Sequence, residues 1–300
     1  MELDMNKLII EVRQNELRKK AENPNIPYTS AEIIQSALDA HDEGATIAHF
    51  HPRNDAGAEV SDLESVVEII GTIRSCSSML VHPTLGHFDH GDDPLLRLSN
   101  VEALAAMPSM RPDIAPLDLG SLNFDVWNPE SKEFIVDNWV YQNSARDLRS
   151  MARRLRELGV KPQLVIYGLS GIRLMDAFLG TGDVDTPTYV SFVLGGPSIL
   201  FGHPATSNGL RAYLDNLTHA NIHWNVMLAG GSYLPLLPEI IEAGGHICIG
   251  LGDYAFPELG VPTNADVVRK VVEVARGVGR EIASPEEVRA MLNVQAPTSA

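Results

Sequence analysis

Thr46-Ile47-Ala48-His49-Phe50-His51-Pro52-Arg53 joins a short apolar run to two histidines two positions apart. A strand alternates its side chains between faces, so His49 and His51 project together while Phe50 turns the other way. Paired imidazoles suit zinc and other late divalent ions, and a catalytic zinc takes three protein ligands and keeps one position open. Two ligands are visible in this stretch and the third is not. The plainer alternative is two polar residues closing a strand, so the neighbourhood has to decide.

Outward from this stretch, short apolar runs rich in β-branched residues recur, each followed by helical spacing. That alternation is the mark of parallel βα units. Strands are expected at Leu8–Val12, Thr46–His51, Met79–His82, Ile114–Leu119, Gln163–Tyr167, Tyr189–Leu194, His223–Met227 and His246–Gly250. Eight such units predict one (β/α)8 TIM barrel, of class α/β, over residues 1–300. Thr29-Ser30-Ala31-Glu32 reads as a capping box opening the first helix. Ser284-Pro285-Glu286-Glu287 opens an extra C-terminal helix, with proline at its first position. Further helices are expected over Asp62–Ser75, Ala145–Leu158, Ala205–His219, Leu236–Ala243 and Asn264–Val278. Helical evidence is poorest around Ser121-Leu122-Asn123-Phe124.

Composition narrows the function. The chain has 300 residues, 44% of them apolar, enough for a large core without a linker. With 39 acidic against 23 basic residues the formal charge is −16, which argues against nucleic-acid and anionic-membrane partners and for small molecules. Cys76 and Cys248 are too few and too far apart for a disulfide framework. Neither a basic, apolar leader nor a membrane-length run is seen, so a cytoplasmic enzyme is expected.

In such a barrel the active site forms at the carboxyl ends of the strands. His49 and His51 end the second strand, His82 and Thr84 the third, Asp118 and Ser121 the fourth, Tyr167 and Ser170 the fifth. Gly195-Gly196-Pro197 follows the sixth strand, Gly230-Gly231-Ser232 the seventh and Asp253-Tyr254 the eighth. The two glycine pairs read either as a phosphate cradle or, more simply, as tight turns. His203, His219 and His223 have no such placement.

A combination of motifs then resembles the β-keto acid cleavage enzymes. It comprises Asn15-Glu16, Pro24-Asn25-Ile26-Pro27-Tyr28-Thr29, Glu43-Gly44-Ala45, His49-Phe50-His51-Pro52-Arg53, Gly120-Ser121-Leu122-Asn123-Phe124, Gly244-Gly245-His246 and Gly250-Leu251-Gly252-Asp253. The founding activity of that family is cleavage of 3-keto-5-aminohexanoate. The resemblance implies a zinc-dependent barrel that condenses a β-keto acid with acetyl-CoA and releases acetoacetate plus a new acyl-CoA. It implies metal ligands at His49 and His51 and catalytic roles for Glu16, Thr84 and Asp253. Asp118, Ser121 and Arg53 are expected to bind substrate, although Arg53 also reads as a structural ion pair in the barrel mouth. A homo-oligomer, dimer or tetramer, is implied as well.

Three positions depart from the family pattern. Its well-studied members read Arg-Val-Gly-Leu-Glu-Asp where this chain has Cys248-Ile249-Gly250-Leu251-Gly252-Asp253, so an arginine and a zinc-ligating glutamate are absent. A fifth-strand glutamate linked to coenzyme A transfer is replaced in Pro162-Gln163-Leu164-Val165. The third metal position is therefore left to Asp253, Glu16 or a water.

The chemistry fits these residue types. Breaking or forming a carbon–carbon bond beside a ketone passes through an enolate, which a cation stabilises. Asp253 is the expected base, Thr84 a hydrogen-bond donor to the tetrahedral oxyanion, and Glu16 an orienter of a ligand histidine. Tyr254, Phe256 and Trp224 are the expected shapers of the keto-acid pocket. Two other functions remain open: a metal-dependent hydrolase on a TIM barrel, which would want further histidines after the fifth and sixth strands, and a diverged, non-catalytic acid-binding barrel.

Overall fold

The structure is a computed structural model that describes residues 6–16, 18–60, 62–85 and 93–297. Gly86, in the turn after the third expected strand, lies outside them. Eight parallel strands form the barrel: β1 (Ile10–Arg13), β2 (Ile47–Phe50), β3 (Leu80–Pro83), β4 (Ile114–Asp118), β9 (Lys161–Ile166), β10 (Thr188–Gly195), β12 (Ile222–Ala229) and β13 (His246–Ile249). Their pairing runs β3-β2-β1-β13-β12-β10-β9-β4. Between β3 and β4 the ring is joined through Asp113, whose N–H donates to the Val81 carbonyl at 3.1 Å and whose Oδ2 accepts from the Val81 N–H at 2.8 Å.

All eight expected strands are present with small shifts. The first moves from Leu8–Val12 to Ile10–Arg13, which adds Arg13 to the face that Glu11 occupies by period-two alternation. Capping chemistry sets the helix starts. Thr29 and Ser284 close capping boxes on α1 (Ser30–Asp42) and α9 (Pro285–Leu292), and Thr263 does so on α8 (Asn264–Gly277). Asp62 and Ser144 cap α2 (Leu63–Cys76) and α4 (Ala145–Glu157). The helices α6 (Ser207–Leu214) and α7 (Leu237–Glu242) are shorter than expected.

Two helices went unread: α3 (Ser99–Ala105) and α5 (Leu169–Gly180). Neither has a side-chain cap, and α5 carries glycine at Gly171 and Gly180, which weakens the periodic signal. The unclear stretch after β4 is an insertion of two small antiparallel pairs. They join β5 (Leu122–Asn123) to β8 (Val140–Tyr141) and β6 (Val126–Asn128) to β7 (Glu133–Val136). A short β11 (His203–Pro204) pairs with the end of β10.

The two ends of the barrel differ in chemistry. At the amino end Ile9, Ile47, Leu80, Ile114 and Tyr189 pack on Val288, Met291 and Leu292 of α9, so the extra helix plugs the bottom. Higher up, the interior is polar. Glu11, fully buried, accepts from Gln163 Nε2 at 2.7 Å, Tyr189 Oη at 2.8 Å and His82 Nδ1 at 2.7 Å. Buried polar groups of this kind are stable only when fully partnered. This layer is the floor on which the open end is built.

Candidate active site and metal centre

At the carboxyl ends of the strands lies a cavity of about 360 Å³, lined by Arg13, Glu16, His49, His51, His82, Thr84, Asp118 and Asp253 among others. β2 aims both histidines inward, as the strand alternation requires. His49 Nε2 and His51 Nε2 stand 3.2 Å apart, and Glu16 Oε2 lies 3.3 Å from the first and 2.9 Å from the second. Three candidate ligand atoms thus meet at one point.

Each ring is fixed by its other nitrogen. His49 Nδ1 is 2.9 Å from the His82 carbonyl and His51 Nδ1 is 2.8 Å from Glu59 Oε1. Both neighbours only accept, so both Nδ1 atoms carry hydrogen, and each ring when neutral presents a bare Nε2 lone pair. Two such lone pairs and a carboxylate oxygen would then converge with nothing donated between them. A cation at the centre satisfies all three, either a metal ion or a proton carried on His51 Nε2. The outer carbonyl and carboxylate contacts are those that orient histidine ligands in metal sites.

The electrostatics follow. Burial, reinforced by the Arg13 charge, pushes His49 down to about 3. Burial also opposes charge on His51, but the Glu16 carboxylate overrides it and raises that ring to about 9. Glu16 itself is held well below the usual carboxylate range, against burial, by Arg13 and His51.

Glu16 reaches this point through a strained turn. Its φ is +34°, a region that non-glycine residues rarely occupy. Asn15 locks the turn to β2 by donating to the His51 carbonyl at 2.7 Å and accepting from the His51 N–H at 2.9 Å. Arg53 completes it, donating to the Asn15 carbonyl at 2.7 Å and stacking its guanidinium over Tyr28. Arg53 is therefore a brace for the Glu16 turn. It does not line the cavity: Nη1 and Nη2 donate to the Arg18 and Asn15 carbonyls, and its buried Nε has no partner among the described residues.

Gly252, where the family pattern has glutamate, has a steric cause. A Cβ there would lie 2.9 Å from the Glu16 N atom and 3.0 Å from that of Asn15, so the Glu16 turn occupies the room a side chain would need. Of the three options for the third position, Glu16 is the one within reach of both rings. Asp253 is engaged elsewhere: its Oδ1 accepts from Arg13 Nε at 2.9 Å. Asp253 Oδ2 is buried with no hydrogen-bond partner among the described residues. Burial raises this carboxyl to about 7 in spite of Arg13, which also serves Glu16 at 2.8 Å.

The remaining expectations divide. Thr84 lines the cavity. Asp118 lines it too, but accepts from Tyr141 Oη at 2.6 Å and Tyr167 Oη at 3.2 Å, with Arg97 at 3.8 Å. Ser121 is exposed and accepts from the Asn143 N–H at 2.8 Å; the turn of chain after β4 carries it outside the cavity lining. Trp224, Tyr254 and Phe256 do not line the cavity either. Trp224 packs against Gly245, beyond the barrel wall, and the aromatic lining comes from Phe124, Trp139, Tyr141, Tyr167 and Phe201 instead. The Gly196 and Gly230 loops pack backbone on backbone, a Cβ on Gly196 falling 2.1 Å from the Gly230 carbonyl. Close approach explains these glycines.

Sequence reasoning missed Arg13, Glu11 and Glu59. The first two stand at alternate positions of β1, a signal that becomes legible once the strand is carried one residue further, to Arg13. Glu59 had no signal, since only the turn after β2 returns it to His51. His82 emerges stronger than expected: with Nδ1 on Glu11, its buried Nε2 has no partner among the described residues. Glu11, His49 and His82 form a second group able to hold an ion. No histidine ends the fifth or the sixth barrel strand, as a hydrolase would want: β9 is followed by Tyr167-Gly168 and β10 ends on Gly195.

Comparison with known proteins adds the following. A family model described as beta-keto acid cleavage enzyme matches residues 7–294. The chain is 28% identical over 278 residues to the 3-keto-5-aminohexanoate cleavage enzyme of Acetoanaerobium sticklandii, covering 92% of this chain and 93% of that one. It is 26% identical to the 3-oxoadipate:acetyl-CoA acetyltransferase of Cupriavidus necator, with 93% and 91% covered. Among solved structures, the apo form of ObcA superposes with a TM-score of 0.69 at 16% identity, over 90% of this chain and 66% of that one. That likeness supports the barrel fold.

Proposed function

This chain belongs to the β-keto acid cleavage enzyme family, and on that premise we propose that it is a zinc-dependent acyltransferase of the β-keto acid:acetyl-CoA type. The observation that carries the metal is the convergence of His49 Nε2, His51 Nε2 and Glu16 Oε2, three atoms of metal-ligand type within 3.3 Å of one another. Those three residues would hold the ion. Bound there, zinc would supply Lewis acidity against the negative charge that grows on the keto oxygen.

The side chains supply the rest. Asp253, with Oδ1 oriented by Arg13 and Oδ2 open, is placed to take the proton from the carbon between the ketone and the carboxylate. That carbon attacks the acetyl carbonyl of acetyl-CoA, and a new carbon–carbon bond forms as the coenzyme A thiolate leaves. Thr84, at the end of β3, donates to the oxyanion of the addition. The thiolate then adds to the original ketone, the bond between that carbon and its neighbour breaks, and Asp253 returns the proton it took to the carbon released. Acetoacetate and a new acyl-CoA are released, so atoms balance without an oxidant. Arg13 neutralises part of the charge on Asp253 and Glu16 throughout.

We place residues 1–300 in one barrel domain and the enzyme in the cytoplasm; among the described residues no helix is long and apolar enough to cross a membrane. We also propose a homo-oligomer, supported by the exposed apolar side chains of Phe134, Ile135, Val140 and Leu200, which light scattering would test. The cleavage reading is tested by supplying zinc-loaded protein with acetyl-CoA and a panel of β-keto acids and detecting the acyl-CoA formed. Wild type should give product and acetoacetate in equal amounts, and His51→Ala should lose zinc and at least about a thousandfold in rate. No thioester from any keto acid with the metal fully loaded would sink the proposal.

A further inference from the structure

The cavity is built of two chemically different halves. Its floor, from β1, β2, β3 and the turn after β13, is ionic: Arg13, Glu16, His49, His51 and Asp253. Its opposite wall is apolar. Phe124, Val136 and Trp139 come from the insertion after β4, Tyr167 follows β9, Phe201 follows β10 and Met227 lies on β12. These rings form one packed surface, with Phe124 4.9 Å from Trp139, 5.1 Å from Tyr141 and 4.9 Å from Phe201, and with Tyr167 5.8 Å from Phe201.

The charges bordering this wall are already spent. Asp118 accepts from both Tyr141 and Tyr167 and sits beside Arg97. Arg97 is buried, donates to Asn143 Oδ1 at 2.6 Å and lies over the Tyr141 ring. Among the described residues Asp118 is the one carboxylate lining this side of the cavity, and both lining guanidinium groups are engaged: Arg97 through Nη1 as above, and Arg18 through Nε with the Asp253 carbonyl at 3.2 Å and through Nη1 with Glu22 Oε2 at 3.1 Å. A charged substituent placed there would lose its water without compensation.

From this division we infer that the β-keto acid of this enzyme carries an uncharged, apolar side chain, aliphatic or aromatic, seated against the Phe124–Trp139–Phe201 wall. The inference rests on the cleavage reading and narrows its substrate. The keto acid's own carboxylate and ketone face the ionic floor, and the side chain beyond the ketone points to the rings. Dispersion and the removal of apolar surface from water then favour a longer or flatter side chain.

The experiment compares 3-oxohexanoate and 3-oxo-3-phenylpropanoate with cationic 3-keto-5-aminohexanoate and anionic 3-oxoadipate. Each is assayed with acetyl-CoA on the zinc-loaded protein, and each is titrated calorimetrically without acetyl-CoA. The apolar acids should exceed both charged acids by at least about a hundredfold in kcat/KM and should bind more tightly. Val136→Asp should narrow that gap for the cationic acid while leaving the zinc content unchanged. A charged acid that binds and turns over as well as the apolar ones overturns the inference and leaves the cleavage reading standing. Selective binding of the apolar acids with no thioester product from any keto acid upholds the side-chain preference and overturns the reading. Trp139→Ala provides a further check: if it raises the KM for acetyl-CoA and leaves the ranking of keto acids unchanged, the wall belongs to the coenzyme arm and the inference is wrong.

Discussion

At Asp253 one arginine is shared by two carboxylates. Arg13 reaches Asp253 through Nε and Glu16 through Nη2, and Glu16 has two imidazoles besides, so the weaker-held Asp253 retains its proton longer. Burial raises it to about 7. As a base it works only when ionised, so kcat/KM should climb with pH through neutrality, with about a tenth of the base form present one unit below that value. Asp253→Asn should abolish this ascending limb and lower kcat by about 100-fold or more; a profile flat from pH 6 to 8 in the wild type would remove Asp253 from the role. Gly252 makes a second residue-scale test. Gly252→Glu, which installs the carboxylate of the family pattern, should push the Glu16 turn aside, cost about 1–3 kcal/mol of stability and weaken zinc binding. Tighter zinc binding with unchanged denaturant midpoint would mean that Glu16 is not the third donor.

Between elements, α4 and α5 are tied by ions rather than by apolar contact alone. Asp183, buried just past the end of α5, accepts from Arg149 and Arg153 of α4 at 2.6 Å each and from the Thr181 hydroxyl at 2.6 Å. Burial opposes its charge, yet these bonds hold it at about 2. A carboxyl that binds its proton more weakly in the folded than in the unfolded chain stabilises the fold above its ordinary value of 3.8. That contribution should fade as pH falls from about 4 toward 2. Because both arginines are half exposed, it amounts to about 1 kcal/mol. Thermal unfolding of Asp183→Asn should fall below wild type at pH 6 and converge on it near pH 2; an equal gap at both would show that the bond geometry, not the charge, matters. Neighbouring elements also show how far capping chemistry is legible. Thr29 and Ser284 announced their helices, whereas α3 and α5 start without a side-chain cap and left no mark.

The whole barrel depends on how its ring is joined between β3 and β4. Asp113 bonds both the N–H and the carbonyl of Val81, and its carboxylate also takes Arg74 at 3.0 Å and Arg289 from the plug helix α9 at 2.5 Å. Asp113→Ala would leave two partly buried guanidinium groups and a strand N–H without their acceptor. A loss of about 3–5 kcal/mol is expected, read as a lower denaturant midpoint. If the barrel loses less than 1 kcal/mol, the Asp113 carboxylate is not what closes the ring, and the backbone bond to Val81 with apolar packing is enough.

Strand count, parallel βα order, the capped helix starts and the inward pairing of His49 with His51 were all written in the sequence, because each depends on residues a few positions apart and on fixed periods of two or 3.6. The family was legible for the same reason, as a string of short local motifs. What completes the His49–His51 centre was decided only by folding. Glu16 reaches the rings because Asn15, Arg53 and Gly252, from three different parts of the chain, hold a strained turn over them. Arg53 and Ser121 looked like site residues by position, yet one braces a turn and the other faces outward. The aromatic wall comes from an insertion whose small strands lack any clear period. Contacts between distant segments have no local signature, and the third donor and the side-chain pocket are made of just such contacts.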